Sequence, residues 1–123
     1  MNTSSTKRMV LFCRKSPYGN ALAREALEIA LATAVFEQDL AIIFSGDGVW
    51  QLQPQQNSAE IHVKSQQKLL AAFAMYDLNE IYVEQEALEL RNINHQELSI
   101  AATLIDRQKA AELCNSADII LNF

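Results

Sequence analysis

One stretch, Leu40-Ala-Ile-Ile-Phe-Ser-Gly-Asp-Gly-Val-Trp50, constrains the fold more than any other. Leu40–Phe44 is apolar without interruption and carries two β-branched residues. Such a run suits a strand covered on both faces. Ser45-Gly46-Asp47-Gly48 stops it abruptly and predicts a sharp turn. The chain has three glycines, and two of them flank Asp47. Glycine is needed where φ is positive or where a second backbone comes close. Trp50, the single tryptophan, follows at once. A doubly covered strand belongs to a parallel sheet, and sites on such sheets lie beyond the carboxyl ends of the strands.

The flanking sequence supplies the rest of that sheet. Met9–Cys13 is a short apolar run, a first strand. Arg14–Gly19 is a loop punctuated by Pro17 and Gly19, and Asn20 is a fair N-cap for a helix over Ala21–Glu37. Between Ile29 and Phe36 only Thr33 is polar. A helix that merely covers a sheet keeps a polar stripe, so this one is expected to be buried on more than one side. Gln51–Ser58 is polar and reads as surface. Leu69, Leu70 and Phe73 stand at helical spacing, which predicts a helix over Ser65–Met75. Glu80–Val83 is a third strand, and Gln85–Arg91 is a short helix broken at Asn92-Ile-Asn94. Leu98–Ala102 is expected as the fourth strand and Asp118–Leu121 as the fifth. Thr103 and Asp106 have capping-box spacing before a last helix, Ile105–Asn115. Strands alternating with helices predict an α/β domain, three layers deep, with a mostly parallel sheet of about five strands.

A chain of 123 residues supports one domain, here 7–123, and the polar residues 1–6 are expected to be disordered. The net charge of −5 excludes a chain built to grip nucleic acid directly. No apolar run reaches membrane-spanning length and the start lacks the apolar segment of a signal peptide, so the expected location is cytoplasmic with no membrane contact. The apolar fraction of 50% is high for so small a domain and points to subunit contacts.

Few residues carry chemistry. Cys13 and Cys114 form no Cys-x-x-Cys and no zinc spacing. Buried reduced thiols are one reading. The other is a reactive Cys13, because Arg14 and Lys15 would lower its pKa. Arg14–Gly19 precedes a helix and reads either as an ordinary turn or as an anion contact, without any phosphate fingerprint. Asp47 reads as an organiser of its own turn, or as a base or metal ligand lacking a second acid nearby. His62 and His95 stand alone. A receiver domain would need acids where this chain has Cys13-Arg14-Lys15. A nucleotide or flavin module lacks its fingerprint, and no metal or cofactor is expected.

Several segments together resemble the DsrE/DsrF-like sulfur-relay proteins, and within them the TusC/DsrF-type subunit. They are Ser16–Gly19, Arg24–Leu27, Phe44–Leu52, Tyr76–Leu78, Ile81–Val83 and Ala117–Phe123, with Asp-Gly-Val-x-Gln-Leu the most specific block. The resemblance implies an α/β/α domain and a heterohexamer with TusB-like and TusD-like subunits. It implies sulfur taken from a TusA-like carrier and passed on through a TusE-like one, ending in 2-thiouridine of tRNA or, in the Dsr branch, in sulfur oxidation. The family's reactive cysteine follows the third core strand. Here that position holds Glu84, which cannot carry a persulfide. The implied role is a non-catalytic subunit, with a persulfide-accepting Cys13 as the rival. Tyr18, Ile29, Phe36, Asp47, Val49 and Trp50 are the contact candidates.

Overall fold

In a computed structural model of the chain, residues 7–16, 22–35, 39–53, 68–73, 75, 78 and 80–123 are described. The expected disorder of 1–6, the N-cap at Asn20 and His62 fall outside them. Five parallel strands form one sheet: β1 (Arg8–Cys13), β2 (Asp39–Phe44), β3 (Ile81–Glu84), β4 (Thr103–Ile105) and β5 (Ile119–Asn122). Their spatial order is β4-β3-β2-β1-β5. The helices are α1 (Leu22–Val35), α2 (residues 68–73), α3 (Gln85–Leu90) and α4 (Arg107–Asn115).

The strand order dictates the layers. From β1 to β4 the chain steps in one direction, and right-handed crossovers place their connections on one face of the sheet. The return from β4 to β5 runs the other way, so α4 lies on the opposite face. The packing agrees. Ala26, Leu27 and Ala30 of α1, Leu70 and Phe73 of α2, and Ala87 and Leu88 of α3 join Leu11, Cys13, Ile42, Phe44 and Val83 in one core. Ala110 and Leu113 of α4 join Val10, Phe12, Ala41 and Ile43 in the other. β2 sits at the centre, and Leu40–Phe44 is buried throughout, as a strand covered on both faces must be.

The segment after β2 is a 3-10 helix, Gly46–Leu52, rather than a bare turn. Its first bond runs from the Gly48 N–H to the Ser45 carbonyl at 2.8 Å. The two glycines serve different needs. Gly46 has φ of +51°, in the left-handed region. Gly48 passes so close to β1 that a Cβ would lie 1.8 Å from the Cys13 carbonyl oxygen. Gln51 and Leu52, expected at the surface, are buried; the Gln51 side-chain amide donates to the Lys15 carbonyl at 2.8 Å.

Three further expectations change. The fourth strand is Thr103–Ile105, not Leu98–Ala102. Leu98, Ile100 and Ala102 do alternate inward and pack on the core, but as a loop, anchored where the Ser99 N–H donates to the Leu52 carbonyl at 2.7 Å. Alternation reports which side faces the core, not whether a neighbouring strand is there. Thr103 therefore belongs to β4, and Asp106 itself caps α4 by accepting from the Lys109 N–H at 2.8 Å. Finally, α1 buries one stripe (Ala23, Ala26, Leu27, Ala30), while Ile29, Leu31 and Thr33 are half-buried and Ala32 is exposed.

Candidate functional site

The layer arrangement also locates the natural crevice. At adjacent strands β3 and β4 the chain departs in opposite directions, into α3 on one face and towards α4 on the other. A parallel sheet opens a cleft beyond the carboxyl ends at such a switch point. A cavity of about 180 Å³ lies there, lined by Gly46, Glu84, Glu86, Ala87, Leu90, Arg91, Ile105 and Arg107. Glu84 is the last residue of β3 and Ile105 the last of β4. The volume is well below the roughly 300–1,000 Å³ usual for a small-molecule or cofactor pocket.

The charges around the cavity are mostly matched. The Asp47 carboxylate accepts from Nε and Nη2 of Arg91, at 3.2 and 3.0 Å. Arg91 also donates to the Ala87 carbonyl at 3.1 Å, which closes the C-terminal turn of α3. The Glu86 carboxylate accepts from Arg107 at 2.7 Å, in an exposed pair. Glu84, half-buried, makes no side-chain hydrogen bond or ion pair among the described residues. Asp47 thus ties the 3-10 helix to α3 across 44 residues of sequence, where a bond to its own turn was expected. No pair of neighbouring letters predicted that partner.

Neither cysteine lines this cavity. Cys13 is fully buried beneath the first face, and burial pushes its thiol up to about 12. The activation expected from Arg14 does not reach it. Consecutive strand residues point to opposite faces, and the Arg14 guanidinium lies over the Phe12 ring, 5.4 Å from its centroid, on the second face. Arg14 acts on Cys114 instead. The half-buried Cys114 thiol is raised, chiefly by burial and further by Glu84, against the opposing pull of Arg14. The helix C-terminus expected to raise it is present, with α4 ending one residue later, but burial is the larger cause.

The contact candidates separate. Val49 is fully buried in the core and is no surface of this chain. Trp50 is half-buried and packs against the same core. Ile29 is half-buried on α1 and Asp47 is exposed. Tyr18 and Phe36 lie outside the described residues. His95 is half-buried and its Nε2 meets the Ala102 carbonyl at 2.7 Å, a loop-holding contact. Among the described residues no three His, Cys, Asp or Glu side chains are grouped to hold a metal ion. None of the helices there is long and apolar enough to cross a membrane. Sequence reading missed Arg91 and Arg107 as site residues; Arg107 stands two residues beyond β4, and Arg91 caps the C-terminus of α3.

The fold has a solved counterpart. The ychN protein from E. coli superposes with a TM-score of 0.80 at 21% identity, over 96% of this chain and 100% of that one. Among proteins of known name, the intracellular sulfur oxidation protein DsrF of Allochromatium vinosum is 31% identical, over 95% of this chain and 96% of its own length. A TusC homolog of Pseudomonas aeruginosa is 31% identical over 94% of this chain and 98% of its own, and one from Vibrio parahaemolyticus is 32% identical over 89% and 93%. The DsrE/DsrF-like family model matches residues 7–123, the whole span from the first strand to the last residue, and the chain belongs to that family.

Proposed function

We propose that this chain is a non-catalytic subunit of a sulfur-relay complex of the TusBCD type, serving 2-thiolation of the tRNA wobble uridine. One observation carries the non-catalytic part. The switch-point crevice, where the resemblance puts the family's sulfur-carrying thiol, presents the carboxylate of Glu84 and no cysteine. A carboxylate cannot form a persulfide. The two thiols the chain does have are both pushed towards the protonated form, which is the unreactive one. The names of the relatives, TusC homolog and DsrF, support the sulfur-relay part.

In this reading the subunit acts by shape. It supplies a rigid sheet and a charged rim to TusB-like and TusD-like neighbours, and the thiol chemistry runs on a neighbour's cysteine, fed and drained by TusA-like and TusE-like carriers. A second reading, a DsrEFH-type subunit in sulfur oxidation, is favoured by the DsrF relative. Both place the same role on Glu84.

The test is replacement of both thiols, Cys13→Ala with Cys114→Ala, as the only copy in cells that thiolate tRNA. The 2-thiouridine content should stay near the unmodified level, and the variant should still co-purify with its sibling subunits. Loss of thiolation from an assembled complex would make this subunit catalytic. Unchanged thiolation on complete deletion of the gene would favour sulfur oxidation, to be read out as sulfate production from stored sulfur.

A further inference from the structure

The crevice at Glu84 has three properties that do not follow from lacking a thiol. It is a real cavity, of about 180 Å³, so something of side-chain size fits in it. Of the charged groups that line it, Glu86 is paired with Arg107, and Arg91 is held by Asp47 from outside the lining, so each arginine is already engaged with a carboxylate other than Glu84; Arg14, a further cation on that side, acts with Glu84 on Cys114. Glu84 is thereby a half-buried carboxylate with no hydrogen-bonded or ion-paired partner among the described residues. A cation entering the cavity would give that carboxylate a charge-assisted hydrogen bond it does not otherwise make. The charged rim, finally, carries one exposed apolar side chain: Leu90, at the end of α3, is 75% exposed.

We propose that this crevice is a socket for one arginine side chain projected by a partner subunit. The cavity is lined on its uncharged side by Ala87, Ile105 and the side-chain-free Gly46. A guanidinium is flat and weakly hydrated, and it suits such a wall better than a compact, strongly hydrated ammonium does. Its paired donors match the two oxygens of the Glu84 carboxylate. A free small cation would leave Leu90 in water. A protein surface that delivers the arginine also covers that leucine, which is the pattern of a charged anchor beside an apolar contact. The identity of the partner as a sibling subunit rests on the function proposed above; the chemistry of the socket does not.

Two measurements test it. In the first, the isotope-labelled full chain is titrated with N-acetyl-arginine methylamide and, separately, with the neutral isostere N-acetyl-citrulline methylamide. The arginine peptide should shift the backbone amide signals of Gly46, Glu84 and Ala87 with millimolar affinity, and citrulline should not. Glu84→Gln should weaken the arginine peptide by roughly tenfold or more, the scale of one charge-assisted hydrogen bond. Arg107→Gln, which removes a like charge from the mouth, should tighten it. Equal responses to the two peptides, no response to either, or indifference to Glu84→Gln would overturn the socket. In the second, Glu84→Arg should sharply reduce recovery of sibling subunits in a co-purification, while Glu97→Arg, away from the crevice, should not. Arginine binding with full recovery of the Glu84→Arg complex would overturn the sibling subunit as the donor. Failure of the unaltered chain to recover any sibling would instead strike the sulfur-relay reading and leave the socket standing.

Discussion

The two faces of the sheet are built to different standards. On the first, three crossovers bring α1, the 3-10 helix, α2 and α3 over the strands, and Leu11, Cys13, Ile42, Phe44 and Val83 are fully sealed. On the second, α4 alone returns the chain to β5. Val10, Ala41 and Ile43 are sealed beneath it, but Tyr82 is half-buried and Ile120 stays 44% exposed. At the amino end of this face the sheet is polar. Arg8 grips Glu80 with two bonds, at 2.7 and 2.8 Å, and Asp39 with one at 2.6 Å, and the Tyr82 hydroxyl donates to Glu80 at 3.2 Å. The difference follows from strand order, since three steps one way and one step back cannot cover both faces equally. It assigns stability to the first face, while the partly covered second face leaves apolar and charged groups within reach of solvent.

The largest expected effect tests that division. Phe44→Ala on the first face should cost about 3–5 kcal/mol in urea unfolding, and Leu113→Ala on the second about 2 kcal/mol, because the thinner layer can relax into the gap. Equal losses would mean the two cores are equally packed. The glycines sharpen the same comparison at the seam between β1 and the 3-10 helix. Gly48→Ala should cost about 3 kcal/mol, as the new Cβ meets main chain that cannot move aside. Gly46→Ala has open space and only its positive φ to contend with, so about 1 kcal/mol is expected. If Gly46 proved the more sensitive, close approach would not be what fixes the helix over β1.

The thiols give a pH reading of each face. Cys13 has a folded pKa raised above its unfolded value of about 8.5, so its contribution is complete below that pH and is lost as pH climbs towards about 12. By pH 10 the loss should reach about 2 kcal/mol. Cys13→Ala should flatten this alkaline slope, whereas Cys114→Ala should change it less. A thiol reagent at pH 8 should label Cys114 first, and prior labelling of Cys13 would contradict its burial. The smallest effect is on the acid side. The Arg8 hydrogen bonds hold the Glu80 carboxyl below its usual range, so its stabilisation is present above the unfolded pKa of about 4.3 and fades as pH falls through the lower folded value. Because the pair is partly exposed, Glu80→Gln should remove less than about 1 kcal/mol at neutral pH and flatten only the acid limb.

What the sequence determined by itself was local. The unbroken apolar run Leu40–Phe44 could only be a strand sealed on both sides, and the glycines around Asp47 could only mark forced backbone. Both hold, because burial on two faces and backbone freedom are properties of single residues. The family segments likewise pointed to the fold class. What required tertiary structure was every relation between distant residues. Strand order, and with it the crevice between β3 and β4, depends on which crossover turns back. Asp47 reaches Arg91, and Arg14 acts on Cys114 rather than on its neighbour Cys13, because alternate strand residues face opposite ways. Leu98–Ala102 alternates like a strand yet packs as a loop, and Val49 sits in the core although it follows a turn. In each case the deciding energy is a contact or a desolvation made across the fold, which no local spacing encodes.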